Sequence, residues 1–168
     1  KTQKGNIGDA FIYGTEILTE LKVKNIFSQV NIETFVNYAY TKSEYLQSES
    51  KSIIGNLVEF VPLHNLKTGL TMSYKKVTSG VQLTYLSEQF TDATNSYESD
   101  NSGVLGKIPA YEIIDFTSSY YFKNIKLSFG INNILNKYYF TRRATGYPGP
   151  GIIPSQNRNY YLTLEMNF

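Results

Sequence analysis

Seven stretches of this chain alternate apolar and polar residues with a period of two. Residues about 10–23 set Phe11, Tyr13, Ile17, Leu21 and Val23 on one face, opposite Gly14, Glu16, Glu20 and Lys22. Residues about 27–41 set Val30, Ile32, Val36, Tyr38 and Tyr40 opposite Gln29, Asn31, Glu33 and Asn37. The pattern returns at about 66–75, 81–90, 111–122, 125–132 and 159–168. Successive side chains of an extended strand point to opposite faces, so each stretch predicts a β-strand with one apolar and one mostly polar face. The last is the cleanest: Tyr160, Leu162, Leu164, Met166 and Phe168 lie opposite Tyr161, Thr163, Glu165 and Asn167.

The connections also alternate. Short turns are expected at Lys24-Asn25, near Thr78-Ser79-Gly80 and at Lys123-Asn124. Long polar connections cover 42–64, 91–109 and 139–158. Short turns at one end and long loops at the other, on strands of alternating polarity, are the signature of an antiparallel transmembrane β-barrel of the outer-membrane type. A soluble β-sandwich can also alternate, but nothing in it requires all the long loops at one end. A closed barrel leaves no unpaired edge against lipid. Seven strands put the two chain ends on opposite sides of the membrane, whereas single-chain bacterial barrels have an even number. The chain is therefore expected to be part of a larger barrel, with Leu57–Val61 the place where a further short strand could sit.

Charge placement sharpens the picture. Glu16, Glu20, Glu33, Lys67, Lys75, Asp115, Lys126 and Glu165 all fall on the polar faces and are expected to line the lumen. A Lys or Arg turned to lipid costs about 2–4 kcal/mol at mid-depth. There are fifteen Tyr and ten Phe. On the apolar faces, Tyr74, Phe122 and Phe168 fall at the short-turn end, and Phe11, Tyr38, Tyr40 and Tyr160 at the long-loop end, as two interfacial girdles require. With no Cys there is no disulfide framework or thiolate metal site, and a dispersed net charge of +2 gives no footprint for nucleic acid.

Beyond these patterns, the chain resembles the C-terminal part of the TonB-dependent outer-membrane receptors. The resemblance is carried by Phe129-Gly-Ile-Asn-Asn-Ile-Leu-Asn-Lys-Tyr-Tyr-Phe140, by Thr141-Arg-Arg-Ala-Thr-Gly-Tyr-Pro-Gly-Pro-Gly151 and by the strand ending at Phe168. Tyr13-Gly-Thr-Glu16 and Tyr85-Leu-Ser-Glu-Gln-Phe-Thr-Asp92 are weaker matches. It implies about the last seven strands of a plugged barrel of ~22. Residues 1–168 would then be the C-terminal portion of the barrel domain, with the plug and earlier strands outside this sequence. The last long loop is similar to that of receptors for ferric citrate and related chelates of the Bacteroidetes type. The function implied is active uptake of an iron chelate or similar scarce nutrient. Outer-membrane lipid, the barrel-assembly machinery, the rest of the receptor with its plug and, through the plug, TonB are the implied partners. A passive porin-like or structural barrel and a soluble β-sandwich binding module are the alternatives.

Candidate chemistry is sparse. No catalytic constellation is present, no cofactor is called for, and no metal site is assigned. His64, the single His, is expected in a loop. Asp92, Glu98, Asp100 and Asn101 match no calcium-loop spacing and are expected to be solvated acids. Arg142 and Arg143 are the candidate ligand-binding residues, because a guanidinium fork suits the carboxylates of an anionic chelate. The other reading of the pair is contact with loop acids or lipid headgroups. Tyr160, Leu162, Leu164, Met166 and Phe168 form the implied assembly signal.

Overall fold

The computed structural model describes residues 7–26, 29–146 and 149–167. Eleven strands form: β1 (Asp9–Ile26), β2 (Val30–Gln47), β3 (His64–Tyr74), β4 (Val77–Leu86), β5 (Gln89–Phe90), β6 (Lys107–Ile108), β7 (Tyr111–Phe122), β8 (Ile125–Asn132), β9 (Phe140–Ala144), β10 (Gly151–Pro154) and β11 (Asn159–Met166). Seven of them make one antiparallel sheet in the order β1-β2-β3-β4-β7-β8-β11. The strands β5 and β6 pair with each other, as do β9 and β10, within the long connections. No strand forms at Leu57–Val61, so the expected seven-strand count stands.

The register shows why alternation was so regular. One row crosses the whole sheet as Leu21, Thr34, Leu70, Val81, Phe116, Ile131 and Tyr160. The adjacent row, on the opposite face, runs Lys22, Glu33, Thr71, Gly80, Thr117, Gly130 and Tyr161. The apolar face is open: Leu70 is 53 % and Leu162 70 % exposed. A contiguous apolar face of this extent far exceeds the ~300–600 Å² typical of the largest patch on a soluble monomer. Lipid is the solvent that suits it.

Polar groups on that face satisfy themselves locally. Thr34 Oγ1 donates to the Gly69 carbonyl at 2.9 Å, and Thr68 Oγ1 to the Phe35 carbonyl at 2.8 Å. Ser79 and Ser118, directly opposite each other, share a hydrogen bond of 2.9 Å. Such pairing is what a hydroxyl needs where water is absent. Across the polar face, Lys22–Glu33 and Lys126–Glu165 form ion pairs at 3.7 Å each, and Ser119 and Ser128 bond at 2.8 Å. Two aromatic rings lie flat there: Phe35 over Gly69 and Tyr161 over Gly130, where an added Cβ would come within 2.5 and 2.2 Å of the ring.

Several expectations are corrected. Lys24-Asn25, expected as the first short turn, lie within β1, whose pairing with β2 continues to Ile26 opposite Val30. The second short turn is Lys75-Lys76, not Thr78-Ser79-Gly80, which are residues of β4. Ser, Thr and Gly resemble turn formers, but Thr78 pairs with Ser73 and their hydroxyls bond at 2.9 Å. The second strand continues through Lys42–Gln47, residues expected in a loop. There β2 pairs with Asp9–Tyr13 beyond the apolar belt, and the first long loop covers Ser43 and Tyr45 on one face, so the lipid-imposed alternation has no reason to persist. An 18-residue strand at ~3.3 Å per residue spans roughly 60 Å, while a tilted membrane crossing takes about 9–11 residues. Finally, β4 ends at Leu86 rather than Phe90, and Gln89–Phe90 turns aside to pair with Lys107–Ile108.

The girdle positions follow the register. Tyr74 lies beside Val30 and Val77 at the Lys75-Lys76 turn, and Phe122 opens the Lys123-Asn124 turn opposite Ile125. At the other end, Tyr38 and Tyr40 flank His64, and Tyr160 pairs with Ile131. Phe11 pairs with Glu44, farther out on the long hairpin. Phe168 lies outside the described residues. His64 is the first residue of β3 rather than a loop residue; its Nδ1 is 2.8 Å from the Tyr38 hydroxyl.

Candidate functional site: the tied loops at one end of the sheet

The three long connections, 48–63, 87–110 and 133–158, leave the same end of the sheet. Among the described residues, the buried apolar side chains gather at the loop bases, in the loops themselves and at the adjoining ends of β2 and β7. They are Tyr45, Ile53, Phe90, Ile108 and Ile113, with Ile108 fully covered. Burial and the adjacent Glu59 carboxylate, which accepts the Tyr45 hydroxyl at 2.6 Å, push that phenol up to about 12.

Backbone and amide contacts tie the loops. Phe60 N–H donates to the Phe90 carbonyl at 2.9 Å. Asn95, at φ +55°, accepts from Leu57 N–H and donates to the Leu57 carbonyl, each at 2.8 Å. Asn56 reaches the Ala93 carbonyl at 2.9 Å. Within the second loop, Lys107 pairs with Glu88 at 2.8 Å. Asp92 serves as a turn knot: its Oδ1 accepts from the backbone and hydroxyl groups of Thr94 and Ser96. Burial opposes its ionisation, but those four donors outweigh the effect and hold the carboxyl below the usual range.

The two candidate arginines differ. Arg143 donates to the carbonyls of Gly103 at 2.8 Å and Lys107 at 2.9 Å, and its guanidinium lies 5.1 Å from the centre of the Phe140 ring. It therefore ties the third loop to the second. Arg142, its neighbour in β9, is exposed and makes no hydrogen bond or ion pair among the described residues. The two line an open depression with Ala144, Thr145, Gly146 and Ile153. Asp100 folds onto its own turn, accepting from Ser102 Oγ and Leu105 N–H. Among the described residues, no three His, Asp or Glu side chains come together as a metal site.

Sequence reasoning missed the asparagines that close the loop bases. Asn133 sits at φ +53° with its amide bonded to Lys137 N–H and C=O at 2.9 Å each, while its own N–H donates to Asp115 at 2.8 Å. Asn136, at φ +52°, accepts the Arg158 N–H at 3.0 Å. Asn tolerates the left-handed region and bonds its own loop, so Asn-Asn-Ile-Leu-Asn after a strand was a readable turn signal. The proposed terminal signal is placed on β11, with Tyr160, Leu162, Leu164 and Met166 on the apolar face and paired to Ile131, Phe129, Leu127 and Ile125.

Comparison with known proteins agrees with this geometry. A family model described as TonB dependent receptor-like, beta-barrel, matches residues 2–134. Transferrin-binding protein A of Haemophilus influenzae is 25 % identical over 206 aligned residues, covering 99 % of this chain and 22 % of that protein. The crystal structure of the ferric citrate transporter FecA superposes with a TM-score of 0.78 at 25 % identity, over 94 % of this chain and 24 % of that one. The siderophore receptor PiuA of Acinetobacter baumannii has the same fold, with a TM-score of 0.72 at 23 % identity over 96 % and 22 % of the two chains. The chain thus spans about a quarter of the length of the relatives it matches. It belongs to the TonB-dependent receptor-like β-barrel family.

Proposed function

We propose that this chain is a section of the barrel wall of a receptor that imports an iron chelate across the outer membrane. Residues 1–168 correspond in this reading to the C-terminal portion of the barrel domain. A plug inside the barrel and TonB beneath it complete the machine, and the tied loops form its outward rim. The carrying observation is the one-sided apolar belt, with every long loop at the same end of the sheet. Relatives described as a ferric citrate transporter and a siderophore receptor favour a ferric chelate as cargo.

Within the rim, Arg142 is the ligand-facing candidate and Arg143 its positioning neighbour, because Arg143 already serves two carbonyls. In the full receptor, Arg142→Ala is expected to weaken ferric citrate uptake with unchanged receptor in the membrane. Unchanged binding of ferric citrate and other anionic chelates removes the pair from the ligand site.

Residues 159–168, which include β11, are proposed as the segment read by the barrel-assembly machinery. Its alternate apolar set and free edge suit strand addition to another sheet. Deleting Phe168 from the full receptor is expected to slow assembly far more than deleting one residue from the 91–109 loop. Normal assembly without it overturns this role.

A further inference from the structure

The short-turn end of the sheet carries a basic cluster that the import reading does not use. Its turn residues include Lys75, Lys76 and Lys123, with Lys24 near the end of β1, and no Asp or Glu lies in the two-residue turns 75–76 and 123–124. The two carboxylates nearest that end, Glu33 and Glu165, are on the polar face and already paired with Lys22 and Lys126. Two neighbouring hairpins repeat one arrangement: an aromatic residue ends the strand and a Lys follows in the left-handed region. They read Tyr74-Lys75, with Lys75 at φ +52°, and Phe122-Lys123, with Lys123 at φ +51°. Asn or Gly takes that conformation at lower cost, so lysine in both hairpins is a choice against local preference.

The ammonium groups stand over the rings. Lys75 Nζ is 5.1 Å from the Tyr74 centroid, and Lys76 and Lys123 are 5.2 and 5.6 Å from that of Phe122. A hydrogen bond of 2.8 Å from Tyr121 N–H to the Lys76 carbonyl brings the two turns side by side. The rings are the ends of apolar rows. Tyr74 continues into Val77, Tyr120, Leu127 and Leu164, and Phe122 into Ile125 and Met166.

We propose that this edge is a docking surface for anionic phospholipid in the leaflet it meets. The geometry stacks three layers in the order of such a lipid: aliphatic rows for acyl chains, rings for the glycerol level, ammonium groups for the phosphate and an anionic head. An acidic protein surface would satisfy the lysines but would not engage the apolar rows with which their rings are continuous. The polybasic contribution is about five-fold in affinity per lysine near an anionic surface, so three lysines are worth on the order of a hundred-fold.

The proposal rests on the outer-membrane placement, and its test keeps the two apart. The full receptor is purified from bilayers containing phosphatidylglycerol and phosphatidylethanolamine, and retained lipid is counted by native mass spectrometry. The parent is expected to hold phosphatidylglycerol in preference. The triple variant Lys75→Asn, Lys76→Gln, Lys123→Asn is expected to lose that preference by ten-fold or more. Asn suits both left-handed positions, so heat resistance of the folded barrel is expected to be kept or raised, which separates lost charge from misfolding. A triple Arg variant is expected to retain the lipid. Equal retention of both lipids by the parent, or a preference unchanged in the triple neutral variant, overturns the proposal.

Discussion

The sheet and the loop layer are built by opposite rules. In the sheet, large apolar side chains are exposed on one face, charged ones lie on the other, and backbone pairing with a few cross-strand side-chain bonds holds the strands together. In the loops, the buried residues are apolar or are polar groups with partners for most of their atoms, Asp92 Oδ2 and Arg143 Nε being exceptions among the described residues. The hairpin of β1 and β2 passes from one regime to the other. It alternates cleanly up to Tyr40–Thr41, and beyond that its outer turns carry Lys42, Ser43 and Glu44 in unbroken pairing. The comparison teaches that burial ranks residues correctly only when the local solvent is known. A hydrophobic residue at 53 % exposure is a defect in water and a requirement in lipid.

The largest contrast should come from charge placed on the two faces of one hairpin. Leu70→Arg turns a guanidinium to lipid and is expected to cost about 2–4 kcal/mol, enough to deplete assembled receptor. Gln82→Arg, on the polar face opposite Asp115, is expected to assemble normally. Equal outcomes in a heat-modifiability assay would collapse the distinction between the faces. A smaller effect is expected where rings lie over glycines. In Gly130→Ala the new Cβ would meet the Tyr161 ring, so the ring must move, at roughly 1–3 kcal/mol. Chemical denaturation should show this loss, and adding Tyr161→Ala should remove most of it; no rescue would mean that the strain lies elsewhere.

Loop changes should leave the sheet intact. Arg143→Ala removes two charge-assisted hydrogen bonds, each worth about 1.5–3 kcal/mol, and frees the third loop from the second. Limited proteolysis is expected to cut within 91–109 and 139–158 while the barrel stays heat-resistant; protection equal to the parent's would deny the tie. The smallest effect concerns Asp92. Its pKa is lowered on folding, so its contribution is complete above the ordinary carboxylate pKa of about 3.9 and is lost as pH falls through the lower folded value. Hydrogen exchange at Thr94 and Ser96 should therefore accelerate only in strong acid, and Asp92→Asn should lose the effect. Acceleration already at neutral pH would contradict the knot.

Legibility followed the same division. The seven strands and their faces could be read because a lipid face and a wet face impose period two on every crossing. The Lys75-Lys76 turn was misplaced because Thr78, Ser79 and Gly80 carry turn-like chemistry inside a strand, Ser79 bonding Ser118 across the apolar face. Residues 42–47 were read as loop because pairing above the belt needs no alternation. The division of labour between Arg142 and Arg143 was invisible, since it depends on carbonyls about forty residues away. For Asn133 the turn signal was readable, but for it and Asn95 alike only the folded loops show which backbone groups each amide closes.

The most direct measurement is a single-cysteine scan of β4 in the full receptor in its native membrane, which this cysteine-free segment allows without background from its own residues. Val77, Ser79, Val81, Leu83 and Tyr85 are expected to react with a lipid-soluble maleimide and resist a membrane-impermeant one. Thr78, Gly80, Gln82 and Thr84 are expected to show the reverse where the lumen is open to water, and protection from both where the plug covers them. Strict alternation along these residues is the predicted result; reactivity that ignores position parity would contradict a wall between lipid and lumen.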